Sequence, residues 1–235
     1  MQFDIITIFP NIFENFLTGS LLARAIKRGL IKIKVHNLRD WTTDKHQTVD
    51  DKPFGGGPGM VLKIEPIYKA VQSLKSKFKS QNLKLKRRVV LFSPRGKKFI
   101  QADAKRLTKY NQLILICGRY EGVDERVAEY IADEIISIGD YILSGGEIPA
   151  MVIIEAVSRL IPGVISKKES VEKLDYPQYT RPEVFEIKEG DKLKRLSVPK
   201  VLLSGNHQKI AAWRKSHTGQ VVPKRRESSP TNKGS

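Results

Sequence analysis

One cysteine, Cys117, occurs in the 235 residues, which excludes an intramolecular disulfide and fits a reducing compartment such as the cytoplasm. Long apolar runs are also missing: no stretch approaches eighteen uncharged apolar residues, so nothing in the chain reads as a membrane span. The first residues, Met1-Gln2-Phe3-Asp4-Ile5-Ile6, place no basic region ahead of an apolar run and do not read as a secretory signal. Aromatic residues are few at 8%, yet a hydrophobic share of 40% belongs to an ordinary globule rather than a disordered chain. A secreted disulfide scaffold, a membrane protein and a disordered polymer are therefore set aside, and the length fits one or two domains.

Acidic residues are short by comparison with basic ones, 25 against 42, leaving a formal charge of +17. A molecule with that excess attracts polyanions, so nucleic acid comes first and an acidic membrane surface second as a partner. The excess is local. From Lys75 to Lys109 thirteen basic residues stand against Asp103 alone, and from Arg214 to Ser235 six stand against Glu227. Between them, Glu121 to Glu155 carries nine acids and one arginine, Arg126. Phosphate binding by such basic blocks releases counterions and weakens steeply as salt rises.

Periodicity predicts an α/β fold. Phe3 to Phe9 reads as a strand stopped by Pro10, and Asn11 as the N-cap of a helix from Ile12 to Arg28 ended by Gly29. Ile31 to Val35 alternates as a half-buried strand, and a polar loop from Asn37 to Gly59 leads to a helix from Glu65 to Phe78. Then a rhythm sets in. Strands at Arg88–Phe92, Gln112–Ile116 and Glu134–Ile138 are broken by Ser93-Pro94-Arg95-Gly96, by Gly118 to Gly122, and at Gly139. Helical patterns lie between them near Ile100–Tyr110 and Asp124–Ala132, and a longer one follows from Pro149 to Leu160. Strands alternating with helices imply crossovers and a parallel sheet. The organisation expected is a domain over 1–163, a polar linker over 164–175, a smaller and mainly helical domain over 176–222 ending in a helix at Asn206–His217, and a disordered basic tail over 223–235.

In a parallel sheet, three glycine-bearing loops after three strands gather at the carboxyl edge, where α/β folds bind small ligands. Glycine lets the backbone approach a ligand closely. No P-loop and no Gly-x-Gly-x-x-Gly is present, and no Gly-x-Ser-x-Gly elbow supplies a nucleophile. His36, His46, His207 and His217 lack zinc spacing, so no metal ligand is assigned.

Several segments taken together carry a resemblance: His46-Gln47-Thr48-Val49-Asp50-Asp51, Pro53 to Met60 with Gly55-Gly56-Gly57-Pro58-Gly59, Cys117-Gly118-Arg119-Tyr120-Glu121-Gly122, Ser137 to Gly146, Tyr179-Thr180-Arg181-Pro182 and Leu203-Ser204-Gly205-Asn206-His207. In this order, from Phe3 to about Trp213, the chain resembles the bacterial tRNA (guanine-N1)-methyltransferases of the knotted SPOUT class, which modify the guanosine at position 37 beside the anticodon. The resemblance implies a trefoil-knotted sheet, a homodimer with its active site at the subunit interface, tRNA as partner, and S-adenosylmethionine as methyl donor. It places the donor on Ser93, Pro94, Gly118, Tyr120, Glu121, Ile138, Gly139, Asp140, Tyr141, Ile142, Leu143, Gly145, Gly146 and Pro149. Asp50 and Gly59 fall in the region that helps to place the target guanosine and its neighbour, and the essential arginine of the family falls on Arg159. A magnesium requirement belongs to the same resemblance, although no octahedral oxygen cluster is legible.

The chemistry so implied needs a carboxylate to take the N1 proton and a cation to steady charge moving onto O6, the role that suits Arg159. Here the chain departs from the family pattern. The family's aspartate lies in an acid-Asp-Ser-Phe segment just before Tyr-Pro-x-Tyr-Thr-Arg-Pro, whereas Ser166 to Asp175 runs straight into Tyr176 and looks shortened. Glu169, Glu172 and Asp175 are the substitutes at hand, and none matches the motif, so no base is assigned. Two other functions stay open: an RNA-binding relative without catalysis, and a methyltransferase of another RNA. The stretch from Glu183 to Pro199 is longer than the family pattern and reads as a surface hairpin.

Overall fold

The computed structural model describes residues 1–77, 85–165, 176–190 and 192–218. In chain order the strands are β1 (Gln2–Thr7), β2 (Lys32–Asn37), β3 (Asp50–Asp51), β4 (Val61–Leu62), β5 (Arg87–Lys98), β6 (Gln112–Ile116), β7 (Glu134–Ser137), β8 (Val184–Glu189) and β9 (Lys192–Ser197). The helices are α1 (Glu14–Thr18), α2 (Ser20–Lys27), α3 (Ile64–Lys77), α4 (Gln101–Leu107), α5 (Glu125–Tyr130), α6 (Glu147–Ser158), α7 (Lys200–Leu203) and α8 (His207–His217). The chain divides into two compact units, Met1–Val171 and Glu172–Ser235.

In the first unit, five strands pair in the order β2-β1-β6-β5-β7, and every pairing is parallel. Side-chain alternation explains why helices cover both faces. Phe3, Ile5, Val90, Phe92, Leu113 and Leu115 join one core with Leu22, Ala25, Leu107, Ile153 and Val157. Ile6, Val89, Leu91, Ile114 and Ile116 point the other way, into a second core with Ile67, Val71, Leu74 and Val127. Strand β6, paired on both sides and buried at all five positions, is the middle of this sandwich. Within the second core's face sits a buried polar cluster. Asp4, fully buried, accepts hydrogen bonds from Gln2 Nε2 and Gln112 Nε2, both at 2.7 Å, and lies 2.9 Å from His36 Nε2.

Two elements depart from the sequence reading. The helix expected from Ile12 to Arg28 is a 3-10 turn (Pro10–Phe13) followed by α1 and α2, separated by Gly19 in an extended conformation. Thr18 ends α1 by donating its hydroxyl to the carbonyls of Glu14 and Asn15, each at 3.2 Å, and Asn11 lies inside the turn rather than capping a helix. Gly29, at φ 69°, closes α2 as expected. The second departure is β5, which does not stop at Ser93. Phe92 and Lys97 both pair with Ile136 of β7, so residues 93–96 are looped out of one continuing strand. An interruption on this scale is a bulge, which re-aims the chain without ending the pairing.

The described part of the second unit holds the antiparallel hairpin β8–β9, as expected between Glu183 and Pro199, and the helices α7 and α8. Asn206 caps α8 by accepting the Lys209 amide at 3.0 Å. Trp213 stacks on His217 at 4.2 Å between centroids and meets Tyr179 edge-on at 6.2 Å, while Arg214 lies 5.1 Å from the Tyr176 ring centroid. Among the described residues, no helix is long and apolar enough to cross a membrane.

Candidate active site

The looped-out residues of β5 lie beside the segments that follow β6 and β7, and together they enclose a common cavity of about 540 Å³. Thirteen of the fourteen residues expected to hold the methyl donor line it. The exception is Asp140, whose carboxylate turns to an ion pair with Lys98. The looped-out residues of β5 contribute Ser93, Pro94 and Arg95 to the wall, which is what the bulge achieves.

Close backbone approach explains the glycines. A Cβ on Gly146 would lie 2.7 Å from Cys117 Cα, so the start of α6 reaches the end of β6 only because that position has no side chain. Gly146 N donates to Gly118 O at 2.9 Å and seals the contact. Tyr120, on the rim, holds a left-handed φ of 59° that a non-glycine residue rarely adopts, the kind of backbone strain that collects at functional sites.

Asp50 and Gly59 belong to the β3–β4 hairpin, and the structure brings that hairpin to the same rim. Glu121 N donates to Met60 O at 3.0 Å, Leu62 N to Gly122 O at 3.1 Å, and Asp124 N to Leu62 O at 2.9 Å. A Cβ on Gly59 would lie 2.5 Å from Glu121 Oε1, so this loop packs directly on a cavity residue. Asp50 is half-buried, while its neighbour Asp51 pairs with Lys63 at 3.5 Å.

The electrostatics of the wall were not legible in the sequence. Arg119 lines the cavity and donates Nε to Glu147 Oε2 at 2.9 Å, with its guanidinium 4.7 Å from the Phe9 ring centroid. Glu147 is only 1% exposed and also accepts the Thr7 hydroxyl at 2.6 Å. Arg95 pairs with Glu125, and both line the cavity. Each arginine of the wall thus has a carboxylate partner. Glu121 has no ion pair among the described residues, so with Glu147 behind the wall counted the carboxylates outnumber the arginines by one.

Cys117 is buried beside this network, and burial, together with the Glu147 charge, pushes its thiol well up, which leaves it protonated and inert. Arg159 does not reach the cavity of its own chain. It is an exposed C-cap residue of α6, thirteen residues beyond Gly146 at the helix start, a distance of about 20 Å at the rise of an α-helix. Glu169, Glu172 and Asp175 lie outside the described residues. Among those described, no three His, Cys, Asp or Glu side chains gather as a metal site.

A parallel α/β sheet with a glycine-walled cavity at its carboxyl edge defines the class of α/β proteins that hold a small ligand there. Comparison with known proteins sharpens the class: the sequence model of the family "tRNA (Guanine-1)-methyltransferase TrmD" matches residues 1–229, and the chain belongs to that family of transferases. Among curated relatives, the tRNA (guanine-N(1)-)-methyltransferase of Dictyoglomus turgidum is 53% identical over 222 residues, covering 92% of this chain and 84% of the relative. Those of Thermomicrobium roseum and a Geobacter species are 49% and 50% identical, each over 92% of this chain and over 78% and 84% of their own lengths.

Proposed function

We propose that this protein is a cytoplasmic homodimer that transfers the methyl group of S-adenosylmethionine to N1 of the guanosine at position 37 of tRNA. The observation that carries the reading is the cavity itself: two of the segments on which the family resemblance rests, Cys117–Gly122 and Ser137–Gly146, supply most of its wall. The residues fit the donor. Backbone amides and carbonyls of the glycine loops suit an adenosine, Pro94, Ile138, Leu143 and Pro149 supply apolar contact, and Glu121 favours a cation. When bound, the donor supplies an electrophilic methyl on a sulfonium.

The remaining work falls to the chain. The β3–β4 hairpin, with Asp50 and Gly59, borders the cavity through Glu121, where it can hold the target base and its neighbour in line with the donor. Arg159 steadies the charge that moves onto O6 as N1 loses its proton; the base that takes that proton stays unassigned, with Glu169, Glu172 and Asp175 as the carboxylates at hand. Arg159 stands ten residues beyond Pro149, the last residue of α6 in the cavity wall, about 15 Å along the helix, and in this reading it serves the cavity of the other subunit. The exposed apolar residues Ile148 and Val152, four apart on α6, supply a face for that second copy. The knot belongs to this reading too: after β7, at the sheet edge, the chain passes β5 to begin α6 against the end of β6.

The test is transfer of labelled methyl from S-adenosylmethionine to a tRNA transcript carrying guanosine at positions 36 and 37. Transfer is expected, and it should vanish when position 37 is adenosine. Transfer that persists after that exchange would move the target to another base or RNA. Binding of both donor and tRNA without transfer would identify an RNA-binding relative that has lost its base.

A further inference from the structure

We propose that Glu147, which lies behind the cavity wall and not in its lining, makes the cavity prefer a cationic donor over its neutral product by cancelling the charge of Arg119 in the wall. The inference rests on the reading of the cavity as the S-adenosylmethionine site. The donor and its product, S-adenosylhomocysteine, differ by one methyl group and one positive charge at sulfur. An enzyme that must release product and reload with donor gains from a wall that responds to that charge.

Among the described residues, four charged ones line the cavity: Arg95, Arg119, Glu121 and Glu125. The Arg95–Glu125 pair is open to water, with side chains 75% and 54% exposed, so solvent screens both members. Arg119 and Glu147 are different, with side chains 19% and 2% exposed. An arginine so placed acts across a poorly screened path on whatever occupies the cavity, and without Glu147 it opposes a sulfonium. Glu147 is held for this role from two sides, by the Arg119 Nε at 2.9 Å and the Thr7 hydroxyl at 2.6 Å, at the first turn of α6. With Arg119 cancelled, Glu121 sets the sign of the wall.

The experiment is calorimetric titration of the full chain with donor and with product separately, in wild type, Glu147→Gln, Arg119→Gln, the double variant and Thr7→Val. Glutamine keeps the shape of Glu147 and removes its charge. In Glu147→Gln the ratio of donor Kd to product Kd should rise by roughly three- to thirtyfold, the range for one charge across several ångströms at an intermediate dielectric. In Arg119→Gln the ratio should fall, and in the double variant it should return towards wild type, the signature of a coupled pair. Thr7→Val removes one of the two bonds that hold Glu147 but no charge, so it should move the ratio in the same direction as Glu147→Gln and by less; a shift as large as that of Glu147→Gln would assign the effect to packing rather than charge and overturn the proposal. Should Glu147→Gln fail to fold, the fall in Arg119→Gln carries the test alone. A ratio that stays at its wild-type value in both single variants, whatever happens to the two affinities, assigns the pair a structural role only and overturns the proposal. A wild-type chain that binds neither ligand overturns the donor-site reading itself, a different result from an unmoved ratio.

Discussion

Gly146 shows how narrow the tolerances of the cavity are. A methyl group there would meet backbone, Cys117 Cα at 2.7 Å and Gly118 N at 3.1 Å, and neither can swing aside as a flexible side chain could. Gly146→Ala should therefore weaken donor binding by at least about tenfold, roughly 1.4 kcal/mol, read by calorimetry. Gly55 is the control. A Cβ at Gly55 meets nothing within 4 Å, but its φ of 86° strains any other residue. Gly55→Ala should cost about 1 kcal/mol of stability and leave donor affinity alone. Asp4 gives the pH prediction at the same scale. Burial acts to raise its carboxyl, but hydrogen bonds from His36, Gln112 and Gln2 outweigh it and hold the group below its ordinary value of 3.8. A lowered folded value means that the unfolded chain binds the proton first, so the stabilisation is complete above the unfolded value and is lost as pH falls through the folded one. Urea unfolding followed from neutral pH into that acid range should show a steeper loss in wild type than in Asp4→Asn, which has no such proton to take up; parallel profiles would rule the contribution out.

Among the elements, β5 marks where reading the sequence succeeds and where it stops. Val89 to Phe92 announces a strand by composition and alternation, and Ser93-Pro94-Arg95-Gly96 announces a break by turn chemistry. Whether a break ends a strand or only bulges it depends on the partner, and β7 lies some forty residues further on. The same limit hides the charge pairs. Arg88 and Arg106 both reach Glu134, at 3.2 and 2.7 Å, and Lys98 reaches Asp140, so part of the basic block from Lys75 to Lys109 is cancelled by the acidic block that follows it. Composition showed two opposite blocks; only the sheet order β6-β5-β7 sets them side by side. The cavity loops were legible because each is a local motif that interrupts or follows a strand. The Arg119–Glu147 pair was not, because nothing local marks a contact across twenty-eight residues. Gly96 tests the bulge: a Cβ there would lie 2.7 Å from the backbone of both Ile135 and Ile136. Gly96→Val should force β5 from β7, lowering stability by about 2–3 kcal/mol, as overpacking does, and donor affinity with it. A Gly96→Val protein of wild-type melting temperature would show that the strands part there without cost.

At the scale of the whole molecule, the decisive geometry is the length of α6. Its first turn lines the cavity and its last residue is followed by Arg159, about 15 Å beyond the last lining residue, Pro149, so in the proposed reading one helix would serve two separate places. In a two-fold dimer every contact is made twice, and the far end of α6 in each subunit can complete the cavity of the other. That arrangement makes a prediction about mixtures that no single variant can make. Arg159→Ala should bind donor normally and transfer no methyl, while Gly146→Val should lose the donor. Each homodimer is then inactive. If the two variants are unfolded together and refolded at equal concentration, half of the dimers are mixed by statistics, and each mixed dimer holds one intact cavity facing one intact Arg159. Methyl transfer should recover to about a quarter of the wild-type rate, since half of the dimers carry one working site of two. If Arg159 instead served the cavity of its own chain, no mixed dimer would contain a complete site, and the mixture would stay as inactive as its components.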